Sequence, residues 1–298
     1  MKINSTPLGY VQLVGGAMPI HAMNDLLLNY TFENAAHWEG LKQTVNIVIN
    51  AYRKYARDNH KLETKLQPIT GNITVRTQYQ FLLKNDKKTT KNQDIEITAE
   101  SQAIIYVEFQ NRAESDINVR AAEYFGLSIG HSKGRPVEQI WLLAEDVDTL
   151  LGGKAFSRHI LKDEATGEVH PGNNGILYVS LIKLANEDTP AGELAQFLLG
   201  KLQEPKDETV KEIADMFNSS FEIFKEDKEV VGMLTLEERG MKEGLYIGRQ
   251  EGLQEGRQEG RQEGFTEGIK RIRELIKEGY SFDEAEQKVA EETGVAFA

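Results

Sequence analysis

The chain has 298 residues, 40% hydrophobic and 28% charged, with a formal net charge of −12 and no cysteine. The composition is that of a globular protein with a polar appendage, and the missing thiols exclude disulfides and thiolate metal sites, which fits a cytoplasmic location. No apolar run reaches the roughly 20 residues that a spanning helix needs, so no membrane contact is expected. The opening MKINSTPLGYVQLVGGAMPIHAM, broken by Pro and Gly with Lys2 as its only base, does not read as a signal peptide.

Residues 22–61 read as helical. Within them Leu41, Val45, Val48, Ile49 and Tyr52 recur at three- and four-residue steps, the spacing of one helix face. NITVRTQYQFLL (72–83) alternates like a strand, KNDKKTTKNQ is a polar turn, and DIEITAE (94–100) is a second strand joined by a short turn to AIIYVEFQ (103–110). SDINVRAAEYFGLSIG (115–130) reads as a helix, capped by Ser115 or Asp116 and turning Val119, Ala122 and Phe125 inward. VEQIWLL, part of a nearly continuous apolar run, is the mark of a strand buried on both faces. This order of three strands, a helix and a strand predicts an α/β fold, a mixed sheet flanked by helices.

AFSRHILKD and GILYVSLIKLA are two more strand candidates, extending the sheet or forming a small subdomain, and the pattern turns helical again from Pro190 to Lys225. Glycines then recur every fourth residue from Gly240 to Gly268. Each costs a helix about 1 kcal/mol against alanine, so the segment is either a flexible linker or a helix that packs closely through its glycine stripe. IKRIRELIKEGYSFDEAEQKVAEETGV reads as a helical hairpin, with Gly279 ending the first helix and Ser281 capping the second. The expected organisation is a domain over 1–200, a helical extension over 201–238, the repeat over 239–270 and the hairpin over 271–298.

The acidic excess is concentrated at the C-terminal end, where residues 201–298 hold 24 acids and 15 bases. Bases cluster at Arg53, Lys54, Arg57, Lys61 and Lys65, and again at Lys84, Lys87, Lys88 and Lys91. Such clusters suit phosphate contacts, though a solvated helix face and a solvated turn would look the same.

The candidate chemistry lies in the middle of the sheet. Asp94 and Glu108 are separated by 13 residues that include a tight turn, so an antiparallel hairpin puts both carboxylates at one end of the sheet. Two adjacent carboxylates repel unless a cation lies between them. A hard divalent ion takes one or two carboxylates, often with a backbone carbonyl and waters; solvated strand-end acids are the plain alternative. Gln110 shares a face with Glu108 and would orient a water. Glu96 is a further candidate ligand, but a solvent-facing acid is the simpler reading. His131, His159 and His170 lack paired metal-ligand spacing, Ser157 and Ser180 lack a nucleophile-elbow context, and TGEVHPGNNG has no Lys-Ser/Thr after it.

DIEITAESQAIIYVEFQ resembles the Asp–x13–Glu-x-Gln signature of the PD-(D/E)XK nuclease family transposases, which include the recombination-promoting nucleases. NVRAAEYFG is similar to that family's Arg- and Tyr-bearing helix through Arg120 and Tyr124, and VEQIWLL to its following strand. DLLLNYTF is similar to the family's N-terminal helix: Asp25 and Phe32 match, while Leu28 and Asn29 replace Phe and Lys. The glycine repeat and GYSFDEA also look like the family's C-terminus.

The resemblance implies a restriction-endonuclease-like fold and a metal-dependent DNA endonuclease linked to recombination or a mobile element. Asp94, Glu108 and Gln110 would be its catalytic residues. Asp94, Glu108 and the Phe109 carbonyl would hold Mg²⁺ or Mn²⁺, with Asp25 as an upstream acid or simply a helix cap. Arg120, Lys84, Lys87 and Lys88 are candidate DNA contacts, and cutting both strands with one site per chain favours a homo-oligomer. The rival reading is a catalytically silent protein of the same fold, acting through self-association or partner binding via its repeat.

Overall fold

A computed structural model describes residues 6–13, 16–60, 63–82, 90–99, 103–111, 116–145, 147–170 and 174–293. The fold is α/β, with a mixed six-stranded sheet flanked by helices and a helical C-terminal region. The chain divides into two units, residues 1–232 and 233–298. Residues 201–232 therefore belong to the unit that holds the sheet. Among the described residues no helix is long and apolar enough to cross a membrane.

The first unit opens with an antiparallel pair, β1 (Gly9–Leu13) and β2 (Gly16–Ile20). The region expected as one helix breaks at Asn34 into α1 (Asp25–Glu33) and α2 (Trp38–His60), with a single 3₁₀ turn between them. Asn34 makes the break, because its side chain accepts the Ala36 N–H at 3.0 Å and so caps the new turn. Leu41, Val45, Val48, Ile49 and Tyr52 form the buried stripe of α2.

The main sheet comprises β3 (Ile73–Leu82), β4 (Thr90–Ala99), β5 (Ile104–Gln110), β6 (Val137–Leu143), β7 (Phe156–Ile160) and β8 (Gly175–Ser180), in the order β3-β4-β5-β6-β8-β7. β3, β4 and β5 form an antiparallel meander, β5-β6-β8 is parallel, and β7 returns antiparallel at the edge. The two uncertain strands thus extend the sheet. The second is shorter than its apolar run, since Ser180 caps a short helix, α5 (Leu181–Leu184). β4 begins earlier than expected, at Thr90, whose pairing with Leu82 draws part of the polar stretch into the sheet.

The crossover from β5 to β6 is α3 (Ile117–His131). Its inner face is not the one expected: Ile117, Ala121, Tyr124 and Ser128 are buried, whereas Val119 is 57% exposed. The stripe follows the aromatic groups, with Tyr124 stacked on Trp141 of β6 at 6.1 Å. Asp116 precedes the helix but makes no side-chain cap bond, and Ser115 lies outside the described residues. A short α4 (Asp148–Leu151) adds Leu151 to the same cluster.

On the other face of the sheet α2 brings Tyr52 against Phe156 of β7 at 5.8 Å. α6 (Pro190–Leu198) and α7 (Glu208–Phe224) pack with α1 and α2 there. On this side a buried ion pair joins Glu138 of β6 to Arg158 of β7, bidentate at 2.8 and 2.7 Å. Gly175 of β8 leaves room for it, since a Cβ there would lie 2.8 Å from Arg158 Nη2.

Considered by itself, the C-terminal unit is helical. The glycine repeat lies within one continuous helix, α8 (Lys228–Lys277), rather than a linker. A Cβ added at any glycine from Gly240 to Gly264 would meet nothing within 4 Å. α9 (Phe282–Thr293) folds back so that Ile272, Leu275, Ala285 and Val289 share a small core. Gly279 ends α8 at φ +102°, and Ser281 with Glu284 forms a reciprocal cap at 2.9 and 3.4 Å.

Candidate active site

In the β4–β5 ladder Ile95 pairs with Val107 and Glu96 with Tyr106. One step on, this register sets Asp94 opposite Glu108, and directly opposed residues share a face. The two acids bind each other's strand. The Asp94 N–H donates to Glu108 Oε1 at 3.2 Å, and the Phe109 N–H donates to Asp94 Oδ2 at 3.0 Å. Asp94 is therefore mid-strand rather than at a strand start, while Glu108 is near the end of β5 as expected.

Burial dominates the electrostatics of the pair. It lifts the Asp94 carboxyl from 3.8 to about 6, with the charge of Asp25 adding to the rise; the Phe109 N–H, a hydrogen bond with Glu108 and the charge of Arg120 oppose it. Glu108, only 1% exposed, is pushed well above the ordinary glutamate range by burial and then by the charge of Asp94. A divalent cation between the two would relieve the repulsion.

The surroundings sort the other candidates. Gln110 is half-buried at the end of β5, with its carbonyl accepting the Ala144 N–H at 2.9 Å. Asp25 is not a cap: Asn24 caps α1 by accepting the Leu27 N–H at 3.0 Å, and Asp25 is an exposed first-turn acid whose charge reaches Asp94. Asn29 donates to the Asp25 carbonyl at 2.8 Å. Glu96 is not solvent-facing. It is 6% exposed and accepts the Tyr106 hydroxyl at 3.0 Å, with Arg76 at 3.6 Å; those bonds occupy it within the sheet.

Arg120 lies with its guanidinium 5.9 Å from the Trp141 ring and 6.0 Å from the Tyr124 ring, and its charge acts on both acids. Trp141 is fixed in turn by donating to Gln139 at 3.2 Å, which donates to Ser128 at 3.3 Å. This buried polar string was not anticipated, because it joins β6 to a helix face that the sequence pattern placed wrongly. Lys84, Lys87 and Lys88 lie outside the described residues. Among the described residues no group of three or more His, Asp or Glu gathers around a common point, so an ion here would rest on two carboxylates, backbone and water.

A larger groove of about 470 Å³ lies against α2, Phe156 and the start of α6, away from the acid pair. Its charged groups are Lys54, Asp58, Glu187 and Asp207. The perturbed, mutually bonded carboxylates make the β4–β5 pair the stronger candidate for chemistry.

No family model, curated protein or solved structure matches this chain.

Proposed function

We propose that the protein is a metal-dependent endonuclease acting on DNA, with Asp94 and Glu108 as the metal-binding pair. The observation that carries this reading is the opposition of two carboxylates, Glu108 buried and Asp94 half-buried, whose pKa values are both raised, chiefly by loss of solvent. The likeness of Asp94, Glu108 and Gln110 to the transposase-type PD-(D/E)XK signature supports it, as does a mixed sheet whose central strands carry these residues.

The donor set fits a hard divalent ion such as Mg²⁺ or Mn²⁺: two carboxylate oxygens, with the Phe109 carbonyl proposed as a third ligand. When bound, such an ion polarises a phosphoryl oxygen and lowers the pKa of an attached water. The protein's own groups supply the rest. Asp94 and Glu108 would ligate in their ionised forms, which their raised pKa values disfavour until an ion is present. Gln110 holds the attacking water through its amide, a weaker electrostatic aid than a lysine. Arg120, steadied on Trp141 and Tyr124, supplies positive charge beside a site that must receive a phosphodiester.

The test is plasmid nicking with and without Mg²⁺. Asp94→Ala is expected to abolish metal-dependent nicking while leaving the circular dichroism of the fold unchanged. Equal nicking by variant and parent would remove the assignment. Metal binding without nicking would leave the catalytically silent reading.

A further inference from the structure

A second cleft, of about 220 Å³, is lined by Pro19, His21, Met23, Asn24, Asn111 and Ala144, with Leu198 and Leu199. Two of its lining residues are chain neighbours of the site: Asn111 follows Gln110, and Asn24 immediately precedes Asp25, whose charge reaches Asp94. The cleft opens where the parallel strands β5 and β6 end, at Asn111 and Ala144. The crevice beyond the carboxyl ends of parallel strands is where open α/β sheets receive ligands.

Its chemistry is that of an aromatic heterocycle's surroundings. Pro19, Met23, Ala144 and Leu198 give it apolar walls, suited to the faces of a ring. The polar groups are fewer and mostly engaged. Asn24 accepts the Leu27 N–H, and the Asn111 amide donates to the Met23 carbonyl. His21 differs: its Nδ1 is buried and has no hydrogen-bond partner. The His21 carbonyl meanwhile accepts the Asn24 N–H at 2.9 Å, which fixes the backbone at this position. A buried polar atom left unmade calls for a partner, and turning the imidazole about its Cβ–Cγ bond would present a nitrogen to the cleft.

We propose that this cleft takes the base of a nucleotide beside the scissile phosphate, with His21 hydrogen-bonding its edge. The proposal rests on the endonuclease reading and names part of its substrate. A base that enters the cleft must leave its stack, so the strand would be cut at an unpaired or extruded nucleotide.

The test uses the full chain and the imidazole signals of the histidines in a proton–nitrogen NMR spectrum, with the His21 signal assigned by its loss in His21→Ala. Titration with deoxyadenosine 5′-monophosphate and thymidine 5′-monophosphate is expected to move that signal saturably, and inorganic phosphate to leave it in place. His21→Ala should weaken nucleotide binding roughly three- to tenfold, and His21→Gln, which keeps a hydrogen-bonding group, should recover most of it. Both variants should bind Mg²⁺ as the parent does. A signal moved equally by phosphate alone, or nucleotide binding unchanged in His21→Ala, would overturn the base subsite. Failure of the parent reading looks different: no Mg²⁺ binding at Asp94 and Glu108, whatever His21 does.

Discussion

The Asp94 N–H lies 3.2 Å from Glu108 Oε1, while Asp94 Oδ2 itself accepts the N–H of the residue after Glu108 at 3.0 Å. Each acid is thus held by the other's strand, and neither can swing away from its neighbour's charge. Glu108→Gln keeps the shape and removes one charge. The apo protein should become more stable at pH 8, by a few degrees in Tm, because a repulsive buried carboxylate is gone. Calorimetry should show Mg²⁺ affinity falling at least about tenfold, a loss of about 1.4 kcal/mol. A variant that is less stable and binds metal normally would contradict this account.

Stability should also depend on pH with a definite sign. Asp94 titrates at about 6 in the fold against 3.8 ordinarily, so the folded state keeps this proton to higher pH than the unfolded chain. The associated stabilisation is complete below pH 3.8 and is lost as pH rises through about 6, with Glu108 extending the decline upward. The loss attributable to Asp94 is at most on the order of 3 kcal/mol. Thermal unfolding from pH 4 to 7 should show the parent losing stability relative to Asp94→Asn, and Mg²⁺ should restore it above pH 6. A parent that gains on the variant over that interval would refute the assignment.

The Glu138–Arg158 pair, with side chains 2% and 5% exposed, belongs to the scaffold. Arg158→Leu leaves a buried carboxylate without its partner and should cost about 3–5 kcal/mol in urea unfolding. Gly175→Ala should also destabilise, since its Cβ would lie 2.9 Å from Glu138 Oε2. The double variant should cost less than the sum of the two single ones, because both act on one contact.

Alanine in α8 should act in the opposite direction. Gly252 and Gly256 are exposed, with open space around an added Cβ. Each substitution should stabilise the helix by up to about 1 kcal/mol, seen as slower amide exchange across residues 245–265 in the full chain. Faster exchange would mean that the glycines serve a contact that a methyl group disrupts.

The sequence disclosed the elements better than their relations. β3, β5 and β6 could be read from β-branched and aromatic runs, and the acid pair from a hairpin spacing that fixes register. The β1–β2 pair escaped notice because Gly9, Gly16 and Pro19 disguise it as a loop. α3 was found but turned wrongly, since Val119 looks more apolar than Tyr124 and only the stack on Trp141 decides between them. The partnership of Glu138 with Arg158 depends on strand order, which local pattern does not carry. Glu96 was misjudged for a similar reason: its partner Tyr106 lies across a hairpin. His21 gave no signal at all, being a single imidazole in an unassigned stretch.

The glycine period of α8 has a handedness. A helix turns about 100° per residue, so a step of four overshoots a full turn by about 40°. From Gly240 to Gly268 the bare track therefore winds most of the way around the rod. A straight neighbour could follow it for only a couple of turns; one that followed it throughout would have to coil right-handedly, opposite to the heptad-built left-handed ropes.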